Sequence, residues 1–394
     1  MKNTVIAILA ALCGTLLLYA LGVFDFGPFI DREHRAHYTA LRARAVDDAP
    51  EYILGAVYNA ADWADAETLK GVRLAVDVVN GGKPAKRFRL EARGTASSRP
   101  LNNAAIQGFA DAPDTAVVIG PFVSFHIPAS RALTQFHGLP LVSPKTVVSE
   151  KLPALDPDNF VTVFPPLELW VRATLDHMEK QAVRKLLILG SEAGSYGDIV
   201  CTVLERSSRN RRGFDQVFRL NYQRPLRREA IERLIHSHAG ERKFDAVFFG
   251  GTLRDFAEFL PILKDNAIHL PVYGHDDLNV PEVTALKNPF DLYLPKAVWR
   301  NAIPGFDAAW RERYGGEPSY HALLGAKTVF LLAEVLTQKG GYDAQRIVDS
   351  LRKTVRERLD NPETAPRIVV DAFPAANRDW DAPPGPAGEN TPLK

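Results

Sequence analysis

The chain has 394 residues, 46% of them hydrophobic and 24% charged, which is enough apolar material for two cores. A net charge of +1 gives no overall pull toward nucleic acid or an anionic surface, and the basic run 206–212 reads as a solvated helix end. The only cysteines, Cys13 and Cys201, have no CxxC or Cys/His spacing, so neither a disulfide framework nor a zinc site is encoded.

Lys2 precedes an uncharged apolar run from Thr4 to Phe24. About 20 such residues suffice to span a bilayer as a helix. Ala20-Leu21-Gly22 also offers small residues for cleavage, so residues 1–24 read either as a membrane anchor or as a signal peptide. Both readings export the rest of the chain. Residues 25–50 read as a charged, helix-compatible juxtamembrane spacer, and residues 371–394 as a proline-rich disordered tail.

Between them the pattern alternates strand and helix. Tyr52–Tyr58 is a strand, and Ala66–Asn80 a helix with Leu69, Val72, Val76 and Val79 on one face. Phe88–Ala92 is a strand and Asn102–Ala110 a helix. Residues 115–146 form a complete parallel-sheet unit. Ala116–Ile119 is a buried strand, Gly120-Pro121 breaks it, Ile127–Phe136 is helical, and Pro140–Val142 is the next strand. A crossover of about twenty residues indicates parallel strands, and ligands sit beyond their carboxyl ends. Phe160–Phe164 follows, with a lobe crossing at Pro165-Pro166.

A second series then begins. Its helices are Glu168–Lys180, Tyr196–Ser207, Arg227–His238 and Leu253–Asn266, and its strands are Lys185–Leu189, Gln216–Leu220, Ala246–Phe249 and Pro271–Tyr273. A long apolar helix, Tyr320–Leu336, and a polar one, Asp343–Arg358, come last. Two such runs imply two doubly wound α/β lobes. No GxSxG elbow, P-loop or HExxH occurs, so no catalytic machinery and no cofactor are expected.

The segment Leu69-Lys-Gly-Val-Arg-Leu-Ala-Val-Asp-Val-Val-Asn-Gly-Gly82 resembles the first helix of type I periplasmic binding proteins, closest to the branched-chain amino-acid binders of ATP-driven importers. Ile119–Ser124, Leu139–Pro144, Ser195-Tyr-Gly197 and the late pattern Phe306…Trp310…Tyr314-Gly-Gly…Pro318 follow in the family's order. The resemblance covers roughly residues 52–340. It implies two Rossmann-like doubly wound lobes joined by three hinge strands: lobe 1 at about 51–165 with part of 297–345, lobe 2 at about 166–296 with the C-terminal return. It also implies a small-molecule ligand in the interlobe cleft, an ABC permease or other envelope partner, and a place on the periplasmic side of a bacterial cytoplasmic membrane.

Carried over by motif, the turn after the third strand supplies Ser124, and the turn after the fourth supplies Thr146 with Lys145 beside it. Backbone N–H groups at helix starts suit an anion. Tyr196 matches an aromatic on the second lobe, and Trp63 lies in the first strand-to-helix loop. Thr252 and Asp276 complete the ligand-binding candidates, Thr252 standing after Gly250-Gly251 where relatives often carry an acid. That departure argues for a ligand with an anionic or neutral polar head and no obligatory ammonium, because a buried cation needs a partner, unless Asp276 or Asp277 supplies the acid from a neighbouring strand end. Each residue has a plainer alternative: Ser124 as a helix cap, Thr146 as a turn hydroxyl, Tyr196 as packing, Asp276 and Asp277 as a solvated loop. Two function classes stand side by side, an importer's solute-binding component and a membrane-tethered sensor.

Overall fold

The computed structural model describes residues 32–375, apart from 97, 148–158, 192–194, 223–225, 227, 230, 234–243, 267–269, 286–289, 300–302 and 304. The apolar N-terminal run, most of the expected Arg227–His238 helix and residues 376–394 lie outside that set. The chain divides into two compact units. The first is Met1–Leu169, Gly194–Tyr196 and Ala297–Ile368; the second is Trp170–Ala193, Gly197–Lys296 and Val369–Lys394.

In the first unit, strands β1 (Glu51–Tyr58), β2 (Arg87–Gly94), β3 (Thr115–Ile119), β4 (Leu141–Ser143) and β5 (Phe160–Thr162) make one sheet in the order β2-β1-β3-β4-β5. All four pairings are parallel. Every residue of β3 is buried, as its unbroken apolar run requires. The direction of winding reverses between β1 and β3, so their carboxyl ends flank a topological switch point.

Helix α1 (Arg32–Asp48) corrects the spacer reading. It is docked on the first unit: Val46 is fully buried in the main core, and Arg42 is 2% exposed. Helix α2 (Trp63–Gly81) begins a turn earlier than expected because Asp62 caps it, its side chain accepting from the Asp65 N–H. Helices α3 (Arg99–Ala110) and α4 (Ile127–Phe136) close the other face over Phe109, Ile106 and Val118.

The second unit holds α5 (Leu167–Lys180), which enters from the first, β6 (Lys185–Gly190), α6 (Tyr196–Arg209), β7 (Gln216–Asn221), β8 (Ala246–Gly250), α7 (Leu253–Asp265), β9 (Val272–Gly274), the short α8 (Pro281–Thr284) and β10 (Leu292–Val298). Together with β11 (Arg367–Phe373) its strands order as β11-β10-β9-β8-β6-β7. Strands β10 and β11 are additions to the sequence reading, and β11 carries the ordered chain past the expected start of the tail at 371. Both strands are only partly buried along their length, so neither shows the unbroken apolar run that marks β6 and β8.

Helices α9 (Phe306–Tyr314), α10 (Tyr320–Leu336) and α11 (Ala344–Asp360) return to the first unit. Helix α10 is apolar on nearly every side because α2 and the core enclose it. The α2–α10 contact is a backbone approach: a Cβ on Gly71 would lie 2.0 Å from the Ala322 carbonyl oxygen, and one on Gly325 2.1 Å from that of Thr68. That crossing brings the first turn of α10 against the first turn of α2.

Candidate functional site

The β1–α2 turn and the β4 turn meet at the carboxyl edge of the first sheet. Asp65 is fixed twice, since its Oδ2 accepts from the Asn59 N–H at 2.9 Å and its Oδ1 from Lys145 Nζ at 3.0 Å. The Lys145 and Asp65 side chains are 7% and 2% exposed, and Asp62 lies 3.9 Å from the same ammonium. Burial pushes the Asp65 carboxyl up from its ordinary value, and the Lys145 charge pulls it back down. Glu67, two residues on, pairs with Lys70 at 2.7 Å and accepts from the Ser319 hydroxyl at 3.1 Å.

Beside this pair stands His321, the second residue of α10. It is fully buried, and neither ring nitrogen has a hydrogen-bond partner among the described residues. Trp63 meets it edge to face, centroids 5.8 Å apart. Burial first, and then the Lys145 charge, hold the His321 pKa well below the usual histidine value. The sign for stability follows directly. With a folded pKa depressed below an unfolded value of about 6.5, the unfolded chain binds the extra proton, so stability falls as pH drops below that value. His137, His177 and His275 shift in the same direction. The loss between pH 7 and pH 5 is therefore expected to be shallower in His321→Phe, by up to about 1.4 kcal/mol per pH unit. Urea midpoints at the two pH values test this, and parallel losses in the two proteins would remove His321 from the titration.

At the switch point, Ser124 opens a 3-10 turn, Ser124–His126, ahead of α4. It is half-buried and no side chain caps either helical start, so Ser124 does not serve as the cap. Phe125 is exposed, with the Arg99 guanidinium 5.7 Å from its ring centroid. Thr146 is placed differently from Ser124. It is fully buried; its hydroxyl donates to the Pro121 carbonyl at 3.0 Å and contacts Ser143 Oγ, while its carbonyl accepts from Thr162 at 2.6 Å. The residue holds the β3 and β4 turns together.

In the second unit, α6 starts against the end of β8 with no room for a side chain. A Cβ on Gly197 would lie 1.7 Å from the Gly250 carbonyl oxygen, which accounts for the glycine of Ser195-Tyr-Gly197. Thr252 caps α7: its hydroxyl and N–H both donate to Asp255, which also accepts from Tyr222 at 3.0 Å, and the Asp255 N–H donates back to the Thr252 hydroxyl. Asp276 is buried and opens the 3-10 turn Asp276–Leu278 after β9. Among the described residues no group of three or more His, Cys, Asp or Glu side chains is placed to hold a metal ion.

No protein-family model matches the sequence, and no curated protein does either. Solved structures do match. Leucine-binding protein LivK of Thermotoga maritima aligns with a TM-score of 0.68 and 15% identity, over 83% of this chain and 96% of its own. Streptococcus pneumoniae LivJ, a branched-chain amino acid transporter substrate-binding protein solved with isoleucine, gives 0.63 and 18% over 77% and 88%. A Rhodopseudomonas palustris solute-binding protein solved with benzoate gives 0.62 and 16% over 76% and 85%. This chain has the type I periplasmic binding protein fold.

Within that fold the candidate residues separate. Trp63, Ser124 and Lys145 gather at the carboxyl ends of β1, β3 and β4, although Trp63 is the first residue of α2 and not part of a loop. Thr146 and Thr252 are committed to turns and caps. Tyr196 belongs with the first unit, while α6 from Gly197 onward belongs with the second. Asp62, Asp65 and His321 were missed. Asp62 had a visible signal, an aspartate just before a helical pattern, but the pairing of Asp65 with Lys145 joins residues 80 apart and has no local trace.

Proposed function

We propose that this chain binds a small polar or anionic organic solute outside the cytoplasm, as the substrate-binding component of an ABC-type importer. The supporting observation is the placement of Trp63, Asp65, Ser124 and Lys145 after the carboxyl ends of three neighbouring parallel strands, where open α/β sheets take ligands. The fold's neighbours named for isoleucine, leucine and benzoate agree with a small organic solute. An aromatic wall beside buried polar groups is the usual composition of such a site.

The docking of α1 favours a second reading, a membrane-tethered sensor. Arg42 clamps α1 to the first unit, so a retained apolar segment at residues 4–24 would hold that unit close to the bilayer. No described helix is long and apolar enough to cross a membrane, so the tether would rest on the N-terminal run alone. Mass spectrometry of small molecules released from the purified full chain, followed by thermal-shift measurements with what is found, tests solute binding. A bound solute should raise the melting temperature by several degrees; an empty protein that no solute stabilises would sink the reading. Terminal sequencing separates the two roles. A soluble mature chain beginning at Val23 fits the carrier, and an intact chain in the membrane fraction fits the sensor.

A further inference from the structure

The carboxyl edge of the first sheet presents charges that are already matched. Lys145 Nζ lies 3.0 Å from Asp65 and 3.9 Å from Asp62, with both members of the closer pair buried. Glu67 is taken by Lys70 and Ser319. An ammonium therefore already stands before the carboxylates of this turn, supplied by the chain itself. Next to it, His321 is a fully buried imidazole with both nitrogens unpartnered, and Trp63 lies across its ring. A buried polar side chain without a partner is costly to the fold and points to a group that completes it.

Given the solute-binding reading above, we propose that Lys145 determines specificity: its ammonium fills the cation-accepting position at Asp62 and Asp65 from within, so the solute carries no ammonium and brings a carboxylate or neutral polar oxygen to this edge. A second ammonium at Asp65 would stand within a few ångströms of Lys145 Nζ, where the low-dielectric surroundings magnify repulsion. Displacing Lys145 would leave a buried charge without its partner. An acceptor oxygen meets attraction from the same ammonium, and an imidazole can donate to it.

The experiment uses the full chain as wild type, Lys145→Met and the double variant Asp65→Asn/Lys145→Met, with ethylammonium, leucine and 4-methylpentanoate (leucine without its amine) as probes in thermal-shift and calorimetric measurements. Ethylammonium at tens of millimolar should raise the melting temperature of Lys145→Met by several degrees and leave the other two unchanged against sodium chloride. Wild type should bind the carboxylate at least about tenfold more tightly than leucine, and Lys145→Met should narrow or reverse that order. The double variant leaves no buried carboxylate unpaired, since Asp62 is about half exposed, and the wild-type comparison needs no variant, so a Lys145→Met chain that fails to fold leaves the test standing. Equal affinity of wild type for leucine and 4-methylpentanoate would overturn the assignment, as would ethylammonium stabilising all three proteins alike. If no carboxylate, amide or amino acid binds wild type, the solute-binding reading fails, while the ethylammonium response of Lys145→Met still decides the role of Lys145.

Discussion

Replacing Arg42 with alanine should cost the folded state about 3–5 kcal/mol, one of the largest single-residue effects in this chain. The guanidinium donates four hydrogen bonds to main-chain carbonyls: Nε to His137 at 3.1 Å, Nη1 to Ala112 at 2.9 Å and Thr115 at 2.7 Å, and Nη2 to Ala110 at 2.6 Å. These carbonyls lie at the end of α3, the start of β3 and the end of α4, so one α1 side chain ties together three elements of the first unit. Truncation leaves the acceptors facing a cavity, and each buried acceptor without a donor costs about 1–3 kcal/mol, offset where water enters. Tyr38 packs on Phe136 and His137, and Lys86 bonds to the α1 carbonyls of Val46 and Asp47, so α1 should loosen but not detach. Urea unfolding measures the loss, and amide exchange at β3 and α4 locates it. A loss under about 1 kcal/mol would mean that α1 is held by its other contacts and that Arg42 is incidental.

Adding a single methyl group at Gly71 or Gly325 should be equally damaging, about 3–5 kcal/mol for either alanine variant. In each case the new Cβ would fall about 2 Å from a carbonyl oxygen of the facing helix, and backbone cannot rotate aside as a side chain can. Helices α2 and α10 would have to separate, opening the contacts around Val72, Val76, Ala326 and Val329. The Ser319–Glu67 hydrogen bond and the Trp63–His321 contact lie at the same end of the crossing and should weaken with it. Gly81→Ala is the control, because a Cβ there meets nothing within 4 Å, and its stability should change by less than about 1 kcal/mol. Thermal unfolding of the three variants is the measurement. A Gly71→Ala protein as stable as wild type would show that the helices do not approach so closely.

Much of the fold was legible locally. The helices Ile127–Phe136 and Tyr320–Leu336 were placed to the residue, because Gly138 in one case and Ser319 with a continuous apolar run in the other mark their ends. The strands of both sheets stood out wherever they are buried on both faces, as β3, β6 and β8 are. The site was less legible. Thr252 carries a sequence signature of its structural role, Thr252 followed three residues later by Asp255, which is a capping box. Thr146 has no such signature, since the oxygen that takes its hydroxyl belongs to Pro121, 25 residues earlier.

By itself, then, the amino-acid order determined that this chain alternates strand and helix in two series, where the strongly patterned helices lie, and which turns follow which strands. Those are properties of short windows: apolar period, β-branched content and glycine or proline breaks act over a few residues. Only the tertiary structure decided which charges cancel. Lys145 reads from the sequence as a ligand-binding candidate beside Thr146 and is paired in the fold with Asp65, while Arg42 falls in the charged spacer and becomes a buried clamp. The reason is physical. A charge taken out of water must find its partner wherever the chain brings one, and the partners here lie 80 residues from Lys145 and 68 to 95 residues from Arg42.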